Sequence, residues 1–202
     1  VKEIQKGKFI SFSGIDGVGK STMMYMVAHH LQKSGIEHRI TDEPSTFGKS
    51  KHIRKLVKEK DFSDNATLCL VTAARVETIN HLIKPTLESG GHVLTHRWLA
   101  DSRAYQDYKL AGELHKLLCD NLMPDLQLVL DAPVQVCVER IKSRDNNEPL
   151  DRFDMAPEEV MESRRSMFLR QVFEPGVAII DANYTKEIVF DNIMKHLKEV
   201  LK

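Results

Sequence analysis

The sequence predicts an α/β fold, a doubly wound five-stranded parallel sheet with helices on both faces and a short lid. Three observations predict it. Five short, nearly continuous apolar runs recur along the chain, the pattern of strands buried on both faces. A segment with helical spacing follows each run, and this alternation builds parallel sheets through crossover helices. A glycine-rich loop, "FSGIDGVGKST", joins the first run to the first helix.

In chain order the predicted strands are Lys8 to Gly14, Glu37 to Thr41, His92 to His96, Leu126 to Pro133 and Gly176 to Ala182. The intervening helices are predicted over Lys20 to Ser34, Gly48 to Lys58, Asn65 to Glu88, Ala111 to Asn121, Val134 to Arg144, Pro157 to Val172 and Thr185 to Leu201. Pro157 opens its helix where a missing N–H costs nothing. A further polar helix is expected to follow "THRW", Thr95 to Trp98. "SRDNNEPLDRFD" is the most polar stretch and reads as a surface loop, so the lid is placed at about 143–154 within one domain spanning 1–202. In such a sheet the active groups are expected beyond the carboxyl ends of the strands.

Composition bounds the partners. Apolar content of 42% is ordinary for a globular chain, and one domain of this length can bury a substantial core. Lys plus Arg and Asp plus Glu both total 29, which argues against a nucleic-acid or membrane partner held mainly by charge. Cys69, Cys119 and Cys137 form no C-x-x-C pair and read as buried reduced thiols. No apolar run approaches membrane length, and "VKEIQKGKF" lacks a signal-peptide core, so a cytoplasmic protein is expected.

The glycine loop carries the strongest chemical signal. Gly14, Gly19, Lys20 and Ser21 fit the P-loop pattern G-x-x-x-x-G-K-[ST], placed after a strand and before a helix as that motif requires. Glycines, with Gly17 among them, let successive backbone N–H groups turn inward toward phosphate oxygens, and Thr22 continues the phosphate-binding run. Lys20 is placed for the outer phosphates and the Ser21 hydroxyl for Mg²⁺, while the helix from Lys20 adds its positive dipole end. ATP and Mg²⁺ are the cofactors this implies.

The loop alone does not choose among GTPases, ATPases and small-molecule kinases. No N-K-x-D guanine signature is present. Arginines recur at element ends instead, at Arg54, Arg75, Arg97, Arg140, Arg144 and Arg152. Phosphoryl transfer between two nucleotides gathers many negative charges, and planar, always-charged guanidinium groups suit their neutralisation. Arg39, Arg103 and Arg170 read as solvated surface residues, whereas Arg97 at a strand end and Arg152 in the polar loop read as functional.

With these residues in place, nearly the whole chain resembles the thymidylate kinases. The resemblance rests on "GIDGVGKST" with its acidic Asp16, on "DEPST" after the second strand, on "TAARVETINHLIKPTLESGGHVLTHRWLADSRAYQ", and on "PDLQLVLDAPVQVCVERIKSR" with "LDRFD". It implies phosphorylation of a deoxynucleoside monophosphate, dTMP to dTDP, by a homodimeric enzyme. Asp16 would accept a hydrogen bond from the acceptor's 3′-hydroxyl, and Arg75 would bond its base. Arg97 would hold the acceptor phosphate near the donor, and Tyr105 and Gln106 would line the sugar and base pocket. Arg144 would lie against the adenine of ATP, and Arg152 would close on the phosphates; Lys20, Arg97 and Arg152 form the expected catalytic set. Gly17 stands where some members carry an arginine, so the lid should supply that charge.

Three positions depart from the family's pattern, all on the acceptor side. Asp42 replaces the arginine of R-E-P, Val71 replaces a base-stacking aromatic, and His96 replaces the aspartate before the strand-end arginine. Glu43 is a candidate for the lost carboxylate, and Lys49, Lys51 or Arg54 for the lost cation. A shifted acceptor is one consequence; the alternatives are a kinase of a free nucleoside or other small metabolite, and a non-catalytic ATP-binding protein of this fold. His96 suggests activity sensitive to pH near neutrality. Trp98 is expected over the acceptor pocket or against the following helix.

Overall fold

The structure is a computed structural model that describes residues 6–59, 62–143 and 156–201. The polar loop beyond Ser143, with Arg144 and Arg152, lies outside the described residues.

Five strands form one sheet: β1 (Phe9–Ser13), β2 (His38–Asp42), β3 (His92–His96), β4 (Leu126–Asp131) and β5 (Val177–Asp181). Their order is β2-β3-β1-β4-β5, and every pairing is parallel. The chain leaves the central β1 for one edge, returns through β3, and then continues on the other side through β4. That change of direction opens a crevice at the carboxyl end of β1, where such sheets bind ligands. Register sets what meets there. Phe12 stands opposite His96, and His96 opposite Asp42, so the residues after β1, β2 and β3 emerge at one level. Two further backbone bonds extend the ladders past the strand ends, Arg97 N–H to the Phe12 carbonyl and Glu43 N–H to the His96 carbonyl, both 2.9 Å.

The period-two alternation of the strands divides the core between the two faces. Ile10, Phe12 and Leu94 pack with Met23, Met24, Val27 and Leu31 of α1 (Lys20–Lys33), and with Ile193 and Leu197 of α9 (Lys186–Val200). Phe9 and Val93 point the other way, to Leu68 of α3 (Asp64–Thr78) and Ala111 of α6 (Tyr108–Leu118). Trp98 completes this second core, edge-on to Phe9 at 4.9 Å and to His115 at 5.9 Å, with its indole N–H donated to the Leu122 carbonyl at 3.1 Å. The ring is therefore core, in the layer beneath α6.

The remaining helices are α2 (Ser50–Glu59), α4 (Lys84–Glu88), α5 (Leu99–Tyr105), α7 (Val134–Lys142) and α8 (Glu158–Leu169). Where one helix is predicted over Asn65 to Glu88, a π turn at Ile79–Ile83 separates α3 from α4. Pro85 has no N–H to give the preceding turn, and widening that turn by one residue absorbs the loss. The helix predicted from Ala111 starts three residues earlier, because the Asp107 side chain caps it by accepting from Leu110 N–H at 2.7 Å. Pro157 caps α8 from just outside it, and the predicted end of that helix is a 3-10 turn at Arg170–Phe173. Cys119 and Cys137 are buried thiols, but Cys69 is exposed, on the outer face of α3. Among the described residues no helix is long and apolar enough to cross a membrane.

Candidate active site

The site grows from β1. Gly17 has φ +80°, and a Cβ there would meet the Cys137 carbonyl oxygen at 2.3 Å, so the loop lies directly on the backbone of α7. Only glycine fits that approach. An arginine at position 17 would need α7 to move. Arg140 of α7 clamps the contact, donating to the Val18 carbonyl at 3.4 Å and the Ala182 carbonyl at 2.9 Å. The loop ends in α1, whose first turn carries Ser21 and Thr22 exposed to solvent.

Lys20 folds back into the loop rather than outward. Its ammonium donates to the Ile15 carbonyl at 2.9 Å and lies 3.6 Å from Asp16 Oδ1. Burial, then repulsion by Arg97, lowers its pKa to about 8. Asp16 is the hub of the cluster. One carboxylate oxygen pairs with Arg97 Nη2, and the other accepts from the Tyr105 hydroxyl at 2.7 Å. Burial alone would raise its pKa, but Arg97, then Lys20 and the Tyr105 hydroxyl, outweigh it and hold the acid ionised.

Arg97 sits at φ +73°, in the left-handed region that residues with a Cβ seldom occupy. A conformation of this kind costs about 1–3 kcal/mol and persists where surrounding bonds over-determine it. Here those bonds are visible. Its N–H holds β1, its carbonyl accepts from the Thr95 hydroxyl at 3.0 Å, and its Nη1 donates to Asp101 Oδ1 at 2.9 Å. The guanidinium lies 4.9 Å over the Tyr105 ring, whose environment also includes Arg164 of α8 at 4.4 Å. The sharp turn swings the side chain from the sheet edge onto the P-loop.

A second cluster adjoins the first. Glu43, joined to Pro44 by a cis peptide bond, is buried and grips Arg75 with both oxygens, one on Nε and one on Nη2 at 2.7 Å. Arg75 also donates to the Ser102 hydroxyl at 2.7 Å, meets His115 Nδ1 at 3.4 Å, and lies 5.2 Å over the Trp98 ring. It is 1% exposed, so its base-facing role would have to be filled by a fixed, nearly saturated guanidinium. His115 Nε2 meets the Leu122 carbonyl at 3.0 Å. Nε2 must donate to that oxygen, which leaves the Nδ1 lone pair for Arg75 and fixes the neutral tautomer. Burial, then the charge of Arg75, lowers its pKa to about 4.

At the end of β2 the cation lost at position 42 is met by Arg54 of α2. Its Nη1 pairs with Asp42 Oδ2 at 2.6 Å and donates to the Pro44 carbonyl at 2.8 Å. Asp42 Oδ1 accepts from the Thr46 N–H at 3.0 Å and hydroxyl at 3.3 Å, so its charge is fully engaged.

A chain with this loop, sheet order and arginine cluster can be compared with known families. The family description "Thymidylate kinase" matches residues 12–193. This chain belongs to the thymidylate kinase family. It is 33% identical over 194 residues to the thymidylate kinase of Fervidobacterium nodosum, covering 93% of this chain and 96% of that protein. Against the thymidylate kinase of Idiomarina loihiensis it is 31% identical over 205 residues, covering 96% and 98% of the two chains. With that of Dinoroseobacter shibae it shares 34% identity over 204 residues, covering 96% and 97%.

Several of the residues singled out in the sequence lie together. Asp16, Lys20, Arg97 and Tyr105 form the first cluster, Glu43 and Arg75 the second, and Arg54 stands beside them at the end of β2. Gln106, half-buried, follows Tyr105 at the end of α5. Gly14 and Gly19 complete the loop with positive φ. Three side chains escaped the sequence reading: Asp101, Ser102 and His115. Asp101 had a signal, its four-residue spacing from Arg97; His115 had none, because its partner is 40 residues away. Arg103, read as a surface residue, is half-buried and held by both oxygens of Glu174 at 2.5 and 2.7 Å.

His96 is half-buried, facing Lys20 and Arg97. Burial, then those two cations, drives its pKa well below the usual histidine value, so it stays neutral near pH 7 and does not titrate there. Glu43 is committed to Arg75 and does not replace the missing strand-end carboxylate.

Proposed function

We propose that the chain transfers the γ-phosphoryl group of ATP to dTMP, giving dTDP and ADP. The observation that carries this reading is the Asp16–Lys20–Arg97–Tyr105 cluster at the mouth of the P-loop, in a chain of this family. An acceptor phosphate oxygen attacks the γ-phosphorus in line, and the bond from that phosphorus to the β-phosphate oxygen breaks. No covalent enzyme intermediate is needed, so catalysis is positioning and neutralisation. Arg97 holds the acceptor phosphate against the donor. Lys20 leaves the Ile15 carbonyl for the donor phosphates, whose charge would favour its protonated form. Asp16, kept ionised, accepts from the 3′-hydroxyl, and Tyr105 and Gln106 line the sugar and base pocket.

The backbone of Gly14, Gly17 and Gly19, with Ser21 and Thr22, cradles the ATP phosphates. Mg²⁺ suits this donor set, since a hard cation that keeps several waters needs only a hydroxyl such as that of Ser21 together with nucleotide phosphates. When bound it supplies charge neutralisation between the donor phosphates. Arg75 presents its remaining Nη1 N–H to the acceptor base, Glu43 fixes that guanidinium, and Arg54 faces the acceptor phosphate. By the family resemblance, Arg144 would lie against adenine, and Arg152, in a lid at residues 143–154, would close over the phosphates of this one-domain kinase. The same reading makes the chain a cytoplasmic homodimer that acts on small nucleotides, without nucleic-acid or membrane partners.

ADP release with ATP and Mg²⁺ over dTMP, dUMP, dCMP, dGMP and thymidine tests the proposal. Release rising with dTMP above the other acceptors is expected. ATP turnover without an acceptor-dependent increment would overturn it, and faster phosphorylation of thymidine would favour a nucleoside kinase.

A further inference from the structure

The carboxylate expected immediately before the strand-end arginine is absent, because His96 stands there. Two cations still converge on that point, Lys20 and Arg97, and a neutral imidazole offers neither a counter-charge. The nearby acids are mostly committed elsewhere: Glu43 to Arg75, and Asp42 to Arg54 and Thr46. Asp16 serves both cations from the P-loop, and the remaining acid is on the next helix. We propose that Asp101 is a positioning residue for the transfer reaction, holding the Arg97 guanidinium in its working pose from the first turn of α5 and supplying the carboxylate that His96 cannot. This rests on the proposed function.

The two oxygens of Asp101 have different tasks. Oδ2 accepts from the Trp98 N–H at 3.2 Å and so closes the tight turn that carries Arg97 at φ +73°. Oδ1 accepts from Arg97 Nη1 at 2.9 Å, while Nη2 of the same guanidinium pairs with Asp16. The planar fork is thus fixed at both prongs, with the Tyr105 ring 4.9 Å from its centre. Removal of either prong leaves rotation about the remaining one, and a phosphate-holding group needs that freedom removed before reaction. Asp101 is 5% exposed, so its charge is desolvated, and such a charge is tolerated only beside partners. Arg97 and Lys20 are the cations it faces. With Asp16, it gives the Lys20–Arg97 pair two carboxylates, moving the second from the strand end to the following helix.

Asp101→Asn removes the charge and turns an NH2 donor toward Arg97 Nη1, while the amide oxygen still accepts the Trp98 N–H and so keeps the turn. In the full-length protein with ATP, Mg²⁺ and dTMP, kcat should fall by about 100-fold, with dTMP affinity by calorimetry changed less than about threefold. A purely structural role would lower the melting temperature and leave kcat per folded enzyme unchanged. The discriminating measurement repeats the substitution in a His96→Asp background. There the carboxylate is restored at the strand end, and Asp101→Asn should cost less than about tenfold. Equal losses in both backgrounds, or a kcat in Asp101→Asn within about twofold of wild type, would overturn the inference. A wild type without acceptor-dependent turnover would overturn the functional reading and this inference with it. An active wild type indifferent to Asp101→Asn would overturn this inference alone.

Discussion

At the scale of single residues, Lys20 ties binding to instability. A lysine whose pKa falls from 10.5 to about 8 binds fewer protons folded than unfolded between those values. Stability therefore rises with pH across that window, and the penalty, about 3 kcal/mol, is present in full below pH 8. Phosphates that pair with the ammonium remove the penalty. Lys20→Met should accordingly melt no lower than wild type without ligand, yet lose most of the melting shift produced by a nonhydrolysable ATP analogue. An undiminished shift would separate Lys20 from phosphate binding. His115 shows the same linkage on the acid side. Its pKa is about 4 when folded against 6.5 unfolded, so stability falls as pH drops through that interval, by about 3 kcal/mol in full. Urea midpoints of His115→Phe should fall less between pH 7 and pH 4.5 than those of wild type. Parallel curves would mean that His115 is not the group protonated.

At the scale of elements, the P-loop and α7 are one unit. A side chain at position 17 meets backbone, not a flexible side chain, and must adopt a strained φ as well. Gly17→Ala should cost about 2–4 kcal/mol by overpacking and strain, and should weaken binding of the ATP analogue together with stability. Unchanged melting and affinity would show that the loop rides free of α7. The elements themselves were legible in the sequence for a physical reason. Strands buried on both faces must be apolar throughout, and the loop's glycines are demanded by backbone geometry rather than by distant contacts. The break at Ile79–Ile83 was less legible, because a helix can absorb Pro85 by widening a turn instead of ending. Arg75 is the opposite case: its position was readable as functional, but its burial depends on Glu43, 32 residues earlier, and on His115, 40 residues later. Spacing within one element cannot reveal such partners. Asp101 lay between these cases, visible as a four-residue pair and given meaning only by the folding of Arg97 onto Asp16.

At the scale of the whole molecule, the sheet order brings the ends of β1, β2 and β3 to one level, and two of the three departures of this chain from its family, Asp42 and His96, fall there, while Val71 lies on α3. Asp42 and Arg54 make a neutral pair where one arginine is usual, and Asp101 pairs with Arg97 where the family's aspartate is replaced by a neutral His96. The strand-end carboxylate is thereby moved to the next helix, and the arginine at the end of β2 is replaced by one already paired with Asp42, so the acceptor site must work with the arginine cluster that remains. Product-resolved chromatography of a reaction containing ATP, Mg²⁺ and equal dTMP and thymidine tests that claim most directly. The account predicts dTDP and ADP formed one for one, with thymidine untouched. ADP without dTDP, or conversion of thymidine to dTMP, would contradict it.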